Sequence, residues 1–135
     1  MVHAEEVASY LAKAEESLAG AESELADQRY NNFANRCYYA CFQAAIAALL
    51  DAGIQARSAN GRWRHGHIQA HFVGELINRR RRFPPSFRRG LSDNFALRQT
   101  ADYETDRISD VQATRAMRRS REFVDAIRRE RSERI

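Results

Sequence analysis

The sequence lacks the features of secreted, membrane-spanning and disulfide-stabilised proteins. Its two cysteines, Cys37 and Cys41, lie four residues apart in an apolar stretch, which predicts one buried helix face with reduced thiols. The longest apolar run, CYYACFQAAIAALL, is too short to cross a bilayer and is interrupted by a glutamine, and no charged-then-apolar leader opens the chain. We therefore expect a cytoplasmic protein that does not associate with a membrane.

Several common catalytic signatures are also missing. The chain has no glycine-rich phosphate loop, no nucleophile elbow and no Cys-x-x-Cys pair. His67 and His71 have the i, i+4 spacing of two metal ligands on one helix face, but only Glu75 follows one turn later and nothing else completes a ligand set. We therefore predict neither a metal site nor a cofactor, and we interpret these histidines as polar residues near a helix start.

Charges of the two signs are unevenly distributed along the chain. Residues 1–28 contain seven acids and one lysine, a net charge of −6, whereas residues 57–98 contain ten arginines and two acids, a net charge of +8. Lys13 is the single lysine among 22 basic residues, so arginine replaces lysine everywhere else. Two interpretations of the basic stretch stay open: it contacts nucleic acid or an acidic partner, or it reflects the arginine-rich composition of the whole chain.

The sequence does contain strong helical periodicity in its first 53 residues. The first predicted helix has glutamates on its outer faces and one apolar stripe, which is typical of a surface helix that covers a core. The second, roughly residues 31–52, is apolar nearly all round and should be the central element, ending at Gly53. The stripe of the first helix consists of Val7, Leu11, Ala14, Leu18, Ala21 and Leu25.

Three further helices are predicted after a polar loop. They cover about residues 65–78, about 86–104 after the paired prolines, and a final stretch that begins at a capping box formed by Ser109 and Gln112. The residues expected to face inward are Ile68, Phe72, Leu76 and Ile77 in the third helix, Phe87, Leu91, Phe95 and Ala101 in the fourth, and Val111, Ala113, Met117, Ser120, Phe123, Val124 and Ile127 in the fifth. No strand pattern appears. We predict one all-α domain over residues 1–135, an antiparallel up-and-down bundle of four to five helices, with residues 129–135 frayed.

The stretch FALRQTADYETD, residues 95–106, places charged groups inside the fourth predicted helix. Arg98 and Asp102 lie one turn apart on one face, close enough to form an ion pair, and Tyr103 is rotated by about 100° from Asp102. Near the start of the second helix, Arg36 is expected to be structural, with a partly buried guanidinium that needs acceptors. From the residues alone, the Arg98 stretch is either a structural clamp or the remains of a catalytic site.

Three segments taken together, NRCYYACFQAAIAALL, HGHIQAHF and LRQTADY, resemble the HEPN domain family, in its branch of small stand-alone prokaryotic proteins. The similarity covers nearly the whole chain, and the order and spacing of the three segments make it fairly specific. The residues that carry it are Arg36, Tyr38, Tyr39 and Ala40 at the opening of the second helix, His65 at the opening of the third, and Leu97, Arg98, Ala101, Asp102 and Tyr103 on the fourth.

This resemblance implies a bundle that pairs as a homodimer and acts with a minimal nucleotidyltransferase, often as a toxin–antitoxin couple. Many HEPN proteins are metal-independent RNases in which an arginine is followed, after four to six residues, by a histidine. In such an RNase the histidine acts as the base that takes a proton from the RNA 2′-hydroxyl, and the arginine stabilises the developing charge on the phosphate. On this resemblance, the residues expected to bind nucleotide or RNA are Arg36, Tyr39, His65 and Arg98.

The chain departs from that motif, because its last histidine is His71 and the position five residues after Arg98 holds Tyr103. Tyrosine is a poor base at neutral pH, and Asp102 beside Arg98 is a weaker base still. The first hypothesis is therefore a non-catalytic or weakly active module that docks a nucleotidyltransferase and binds nucleotide or RNA.

The alternative is a divergent metal-independent endoribonuclease toxin that uses Arg98 with Asp102 and Tyr103, or with a histidine from elsewhere in the chain. Related members of the family carry a tyrosine that a partner nucleotidyltransferase modifies with adenylate, and Tyr103 is our candidate for that hydroxyl although it does not occupy the matching position. The family position for that tyrosine corresponds here to Thr105.

Overall fold

The computed structural model describes residues 4–103, 105 and 107–134. Within these residues the chain is helical and contains no strand, which confirms the all-α bundle. A π-helical segment, Phe72–Arg79, continues the third helix, and a single 3-10 turn, Pro85–Phe87, precedes the fourth. The α-helices are α1 (Ala4–Ala26), α2 (Tyr30–Asp51), α3 (His65–His71), α4 (Arg88–Tyr103) and α5 (Asp110–Arg134).

The central element is α2, as its apolar sequence predicts. It packs against α1, α3, α4 and α5, and every residue from Ala44 to Leu50 is buried. The predicted end at Gly53 is confirmed, because this glycine has a φ of +75° and its amide donates to the Leu50 carbonyl at 3.0 Å. The next amide, of Ile54, donates to the Leu49 carbonyl at 2.9 Å, and the two bonds form a Schellman motif.

One strip of α2 does face solvent, and it contains Arg36 and Tyr39. The stem of Arg36 lies over Gly20 of α1, so a Cβ atom placed on that glycine would be 3.4 Å from Arg36 Cδ. Within the part of the chain that the structure describes, the guanidinium makes no ion pair or hydrogen bond. The prediction of a partly buried Arg36 guanidinium that needs acceptors is therefore wrong, because the side chain is exposed and its stem only covers a glycine.

The two long flanking helices follow their sequence patterns closely. In α1 the predicted stripe from Val7 to Ala21 is buried. At the start of α5 the capping box is confirmed: the Ser109 amide donates to Gln112 Oε1 at 2.9 Å, and the Gln112 amide donates to Ser109 Oγ at 3.1 Å. Val111 is 58% exposed, so its assignment to the buried stripe is wrong, because it lies about 200° round the helix from the buried Ala113.

The buried face of α4 also differs from the prediction. Phe87 and Phe95 are only half-buried, and the fully buried face instead includes Gly90, Leu91 and Asn94. The reason is that Phe87 lies in the 3-10 turn before the helix, while a polar side chain takes the central position that an aromatic residue was expected to fill. The predicted helix end at residue 104 lies outside the described residues.

The last turns of α5 pack beside the end of α2. Arg131 and Arg134 both form ion pairs with Asp51, and α5 is helical to Arg134. The fraying expected of residues 129–135 stays a prediction. Among the residues described here, no helix has both the length and the apolar character needed to span a bilayer.

Candidate functional site

Arg98 lies at the centre of a polar triangle between α2 and α4. Its Nε donates to Asn35 Oδ1 at 3.2 Å and lies 3.4 Å from Asp102 Oδ2, which confirms the predicted ion pair. The third side of the triangle is the hydrogen bond from Asn35 Nδ2 to Asp102 Oδ1, at 3.0 Å. The Arg98 and Asp102 side chains are 27% and 26% exposed, so water and ligands can reach both. The triangle therefore fixes the direction of the guanidinium at an accessible surface.

Two consecutive tyrosines of α2 hold the guanidinium from the other side. The Arg98 Cζ atom lies 5.0 Å from the centre of the Tyr38 ring and 5.4 Å from that of Tyr39, which are cation–π distances. The two rings meet edge to face, with centroids 5.1 Å apart. Only Nε makes the two contacts of the triangle, and the two terminal nitrogens carry the other four N–H donors of the guanidinium. The arrangement therefore positions arginine donors beside an accessible aromatic ring.

His65, in the first turn of α3, completes the arrangement. Its Nδ1 lies 3.2 Å from the Tyr38 hydroxyl, and its ring stacks on Phe95 with centroids 4.0 Å apart. Burial lowers the pKa of His65, the neighbouring Gln69 side chain opposes that effect, and the positive charge of Arg98 adds to it. The imidazole is therefore neutral at neutral pH and has one nitrogen that can accept a proton.

The Tyr38 hydroxyl stays protonated in this environment. Burial raises the pKa of Tyr38 to about 12, although the nearby charge of Arg98 acts in the opposite direction. When His65 carries its proton on Nδ1, that nitrogen donates to the Tyr38 oxygen and Nε2 is left as the acceptor. Tyr38 thus orients the imidazole and is not itself a base. The residues that we group as the Arg98 network are Asn35, Tyr38, Tyr39, His65, Arg98 and Asp102.

The structure brings some of the sequence-predicted residues together and separates others. Arg98, Asp102, Tyr39 and His65 belong to the network, whereas the side chain of Arg36 lies against Gly20 of α1, outside the network. Tyr103 is 76% exposed, and within the described chain it forms no hydrogen bond with the three residues of the triangle. The catalytic roles suggested for Arg98, Asp102 and Tyr103 stay predictions.

Sequence reasoning missed Asn35 and the orienting role of Tyr38. A usable signal for Asn35 was present, because it is a polar residue inside an apolar helix and precedes Tyr39 by one turn. Its pairing with α4, however, spans 63 residues of sequence and depends on how the two helices pack.

The histidine pair of α3 forms no larger ligand cluster. His71 Nδ1 lies 2.8 Å from the carbonyl oxygen of His67, and the two rings are 6.5 Å apart. Across the described ranges, no group of three or more histidine, cysteine, aspartate or glutamate side chains is placed to hold a metal ion.

A second polar cluster lies between α2, α4 and α5, centred on the fully buried Asn94 and with the partly buried Arg119 at its edge. Asn94 has no exposed surface, and its Nδ2 lies 2.9 Å from the Gly90 carbonyl and 3.0 Å from Ser120 Oγ. The same nitrogen lies 3.2 Å from Cys41 Sγ, and Arg119 Nη2 donates to Asn94 Oδ1 at 2.7 Å. The Asn94 amide has partners for both its nitrogen and its oxygen and is not exposed to a ligand, although Arg119 Nε has no partner in the described chain, so we assign Asn94 to the core.

The two thiols beside this cluster are chemically quiet. Burial raises the pKa of Cys37 to about 11 and that of Cys41 to about 12. Both thiols are therefore protonated at neutral pH, and neither is suited to act as a nucleophile.

Comparison with known proteins agrees with this helical architecture. The model of the HEPN domain family matches residues 7–130. A protein of Methanocaldococcus jannaschii named "Putative toxin MJ0605" is 26% identical to the chain over 125 residues, which is 93% of this chain and 88% of that protein. Because the family match covers all five helices and most of the chain, this protein belongs to the HEPN domain family.

Proposed function

We propose that this protein is the HEPN module of a toxin–antitoxin-type pair, and that its Arg98 network binds the phosphate and base of a nucleotide or of RNA. Membership of the HEPN family and the similarity to the protein named "Putative toxin MJ0605" support the toxin-like assignment. The single observation that carries the binding proposal is the placement of Arg98, which Asn35 and Asp102 hold against the rings of two tyrosines at an accessible surface.

The network offers the two contacts that a nucleotide needs. Phosphate oxygens pair well with the N–H donors of a guanidinium, and Arg98 has four such donors on its terminal nitrogens. A base needs a flat π surface, and the Tyr39 ring is 36% exposed beside that guanidinium. Because the triangle already fixes the Arg98 side chain, little rotamer entropy is lost when a phosphate binds.

The same geometry favours binding over efficient catalysis. Asp102 neutralises part of the charge that Arg98 would direct at a phosphate in the transition state. The family histidine after the arginine is missing from α4, and Tyr103 points to solvent at 76% exposure. We therefore favour a non-catalytic or weakly active module over an efficient RNase.

A second candidate, a divergent endoribonuclease, is favoured by the position of His65. This neutral imidazole is hydrogen-bonded to Tyr38, whose ring contacts Arg98, so a base and a phosphate-binding cation lie on either side of one tyrosine. In such a reaction His65 would accept the 2′-hydroxyl proton while Arg98 stabilised the charge on the phosphate.

We extend the proposal to two partners, a second copy of the chain and a minimal nucleotidyltransferase. The exposed Tyr103 hydroxyl near the end of α4 is accessible to an enzyme that would modify it with adenylate. Sedimentation of the purified chain should give the mass of a dimer. Mass spectrometry after incubation with the nucleotidyltransferase and ATP should find the adduct on Tyr103, and an adduct elsewhere contradicts that assignment.

The decisive experiment measures binding and cleavage of a short RNA by the wild type, Arg98→Ala, His65→Asn and a control, Arg118→Ala, which removes an exposed arginine of α5. We expect wild-type binding without rapid cleavage, and a loss of roughly tenfold in affinity for Arg98→Ala, because a charge-assisted contact contributes about 1.4 kcal/mol or more. The control should bind like the wild type.

Other outcomes separate the candidates. Wild-type affinity in Arg98→Ala contradicts the binding proposal. Rapid cleavage by the wild type that disappears in both His65→Asn and Arg98→Ala, but not in Arg118→Ala, establishes the endoribonuclease instead.

A further inference from the structure

A second group of arginines extends from the end of the π-helical segment to the first turn of α4. Residues 78–89, which we call the basic segment, contain six arginines and no acid. They surround the two adjacent prolines, Pro84 and Pro85, which begin the 3-10 turn. None of these arginines belongs to the Arg98 network.

Half of the arginines in the basic segment have local partners. Arg79 and Arg80 share one carboxylate, that of Glu75, at 2.6 Å and 3.8 Å, and Arg88 donates to the Asn78 amide oxygen at 2.7 Å. The remaining three, Arg81, Arg82 and Arg89, form no ion pair with any residue that the structure describes. Their positive charge is therefore not balanced within the described chain.

A lack of acidic partners does not by itself distinguish the basic segment, because α5 shows a similar balance of paired and unpaired arginines. Four of the eight arginines of α5 have acidic partners in the described chain. Arg121 pairs with Glu22 at 2.7 Å, and Arg128 pairs with Glu15 at 2.6 Å. Arg115, Arg118 and Arg129 of α5 form no ion pair in the described chain either, so what distinguishes the basic segment is that Arg81 and Arg82 line a groove.

The basic segment forms a groove on a rigid base. A cavity of ≈ 630 Å³ lies between Asn78, Arg81 and Arg82 on one side and the two prolines on the other. Beneath it, Phe83 is only 5% exposed and stacks on Phe72 and Phe87, with ring centroids 5.5 Å and 5.7 Å away. The arginines are therefore presented by a segment whose backbone is anchored in the core.

The chemistry of the groove favours the phosphate backbone of a nucleic acid over a protein partner. Protein interfaces depend on a few buried aromatic or large apolar anchors, and the exposed large apolar residues in the described chain are Tyr39, Tyr103 and Val111, all outside this segment. A phosphate backbone needs only cations. Because Phe83 is buried, its ring cannot stack on bases. Contacts of the groove would therefore be made to phosphates and would not depend on nucleotide sequence.

We propose that the basic segment binds the phosphate backbone of a single-stranded nucleic acid, with Arg81, Arg82 and Arg89 as the principal contacts. Arg89 lies nine residues before Arg98 on α4, about 14 Å along the helix axis and about 180° round it, so the basic segment is a contact region separate from the Arg98 network. The proposal deepens the proposed function by naming the polymer that carries the phosphate. The two can nevertheless fail separately, because they depend on different arginines.

The test is fluorescence anisotropy of the full chain with a labelled single strand of about 16 nucleotides, as RNA and as DNA of the same sequence. The variant combines Arg81→Gln, Arg82→Gln and Arg89→Gln. Its matched control combines Arg115→Gln, Arg118→Gln and Arg129→Gln, which removes the same charge from exposed α5 arginines that form no ion pair in the described chain. Circular dichroism checks that all variants are folded.

We expect the basic-segment variant to lose roughly tenfold or more in affinity for both strands. Its plot of log affinity against log salt, between about 50 and about 200 mM, should become shallower by about 2, because each phosphate contact in a single strand contributes roughly 0.7 to that slope. The α5 control should keep the wild-type affinity and slope, and Arg98→Ala should keep the slope to within about 0.7.

Three results overturn the proposal. Equal weakening by the two triple variants means that only net charge matters. Complete loss of binding in Arg98→Ala, with no loss in the basic-segment variant, leaves the proposed function standing and removes the basic segment from it. Failure of the wild type to bind either strand, together with tight binding of polyglutamate, assigns the groove to an acidic protein.

Discussion

Two arginine–asparagine hydrogen bonds involve α4 residues one helical turn apart, Asn94 and Arg98, and the two bonds differ in their burial. In the core, Arg119 donates to Asn94 at 2.7 Å, and Asn94 has no exposed surface. At the surface, Arg98 donates to Asn35 at 3.2 Å, and the Arg98 side chain is 27% exposed. The same pair of side chains therefore has a structural role in one place and is available to a ligand in the other.

Burial decides this difference through the cost of an unmade hydrogen bond. A buried polar group that loses its partner keeps the whole penalty of its desolvation, so the Asn94 cluster cannot change without loss of stability. An accessible group regains water when its partner is removed, so the Arg98 network can exchange contacts with a ligand at little cost to the fold. The comparison predicts opposite effects of mutation on stability and on binding.

The largest effect on stability should come from Asn94→Ala. The change leaves Arg119, Ser120 and the Gly90 carbonyl without a shared partner inside the core, and we expect the free energy of unfolding in urea to fall by about 3 kcal/mol. The matched change at the other pair, Asn35→Ala, should cost about 1 kcal/mol or less. Equal losses of stability in the two variants would contradict the difference proposed between the buried and the accessible pair.

Gly90→Ala should have the next largest effect, because it tests how tightly the buried side of α4 is packed. A Cβ atom there would lie 2.3 Å from Cδ2 of Phe123, a ring that is 1% exposed and cannot move freely. The overpacking should exceed the gain of about 1 kcal/mol in helix propensity and leave a net loss of about 2 kcal/mol, read from urea unfolding.

The control for this prediction is Gly66→Ala in α3, where a Cβ atom would meet nothing within 4 Å. That variant should be as stable as the wild type or more so. A stable Gly90→Ala protein would show that Phe123 has room to shift and that the buried side is loosely packed.

The smallest effect concerns His65 and the pH dependence of stability. Its pKa is lowered in the folded state from an unfolded value of about 6.5, so the unfolded chain binds more protons between the two values. Its contribution to stability is therefore complete above about pH 6.5 and is lost as the pH falls through the lower, folded pKa. Thermal melts of the wild type should show a drop in Tm over that interval that His65→Asn reduces.

His67→Asn serves as the reference for this pH experiment, because it alters an exposed histidine of the same helix and leaves the Tyr38–His65 contact in place. Its pH dependence should follow the wild type. If His65→Asn and the wild type lose stability in parallel, the imidazole is not desolvated in the way that its contacts indicate.

Much of the fold and one contact of the site follow from short-range sequence patterns. The stripe of α1, the buried character of α2, the cap at Gly53, the box of Ser109 with Gln112 and the pair of Arg98 with Asp102 all involve residues a few positions apart. Helix geometry fixes such neighbours whatever the tertiary structure, so they can be read from spacing.

Other features depend on which helices meet, and spacing does not determine that. Asn35 and His65 reach the Arg98 network from different helices, and Asn94 takes a buried position that an apolar side chain was expected to fill. Arg36 was misplaced for the same reason, whereas the rotation of about 200° between Val111 and Ala113 could have excluded Val111 from the buried stripe. The π-helical segment gave no sequence signal that we can identify.

The buried thiols of Cys37 and Cys41 make the rate of cysteine labelling a measure of how often the bundle opens. Alkylating reagents attack a thiolate that they can reach, and the folded chain denies them both ionisation and access at these positions. Labelling at native cysteines therefore proceeds only when α2 separates from its neighbours, and its rate reports that opening. An added surface cysteine, in contrast, could be labelled selectively while the native pair stays unreacted.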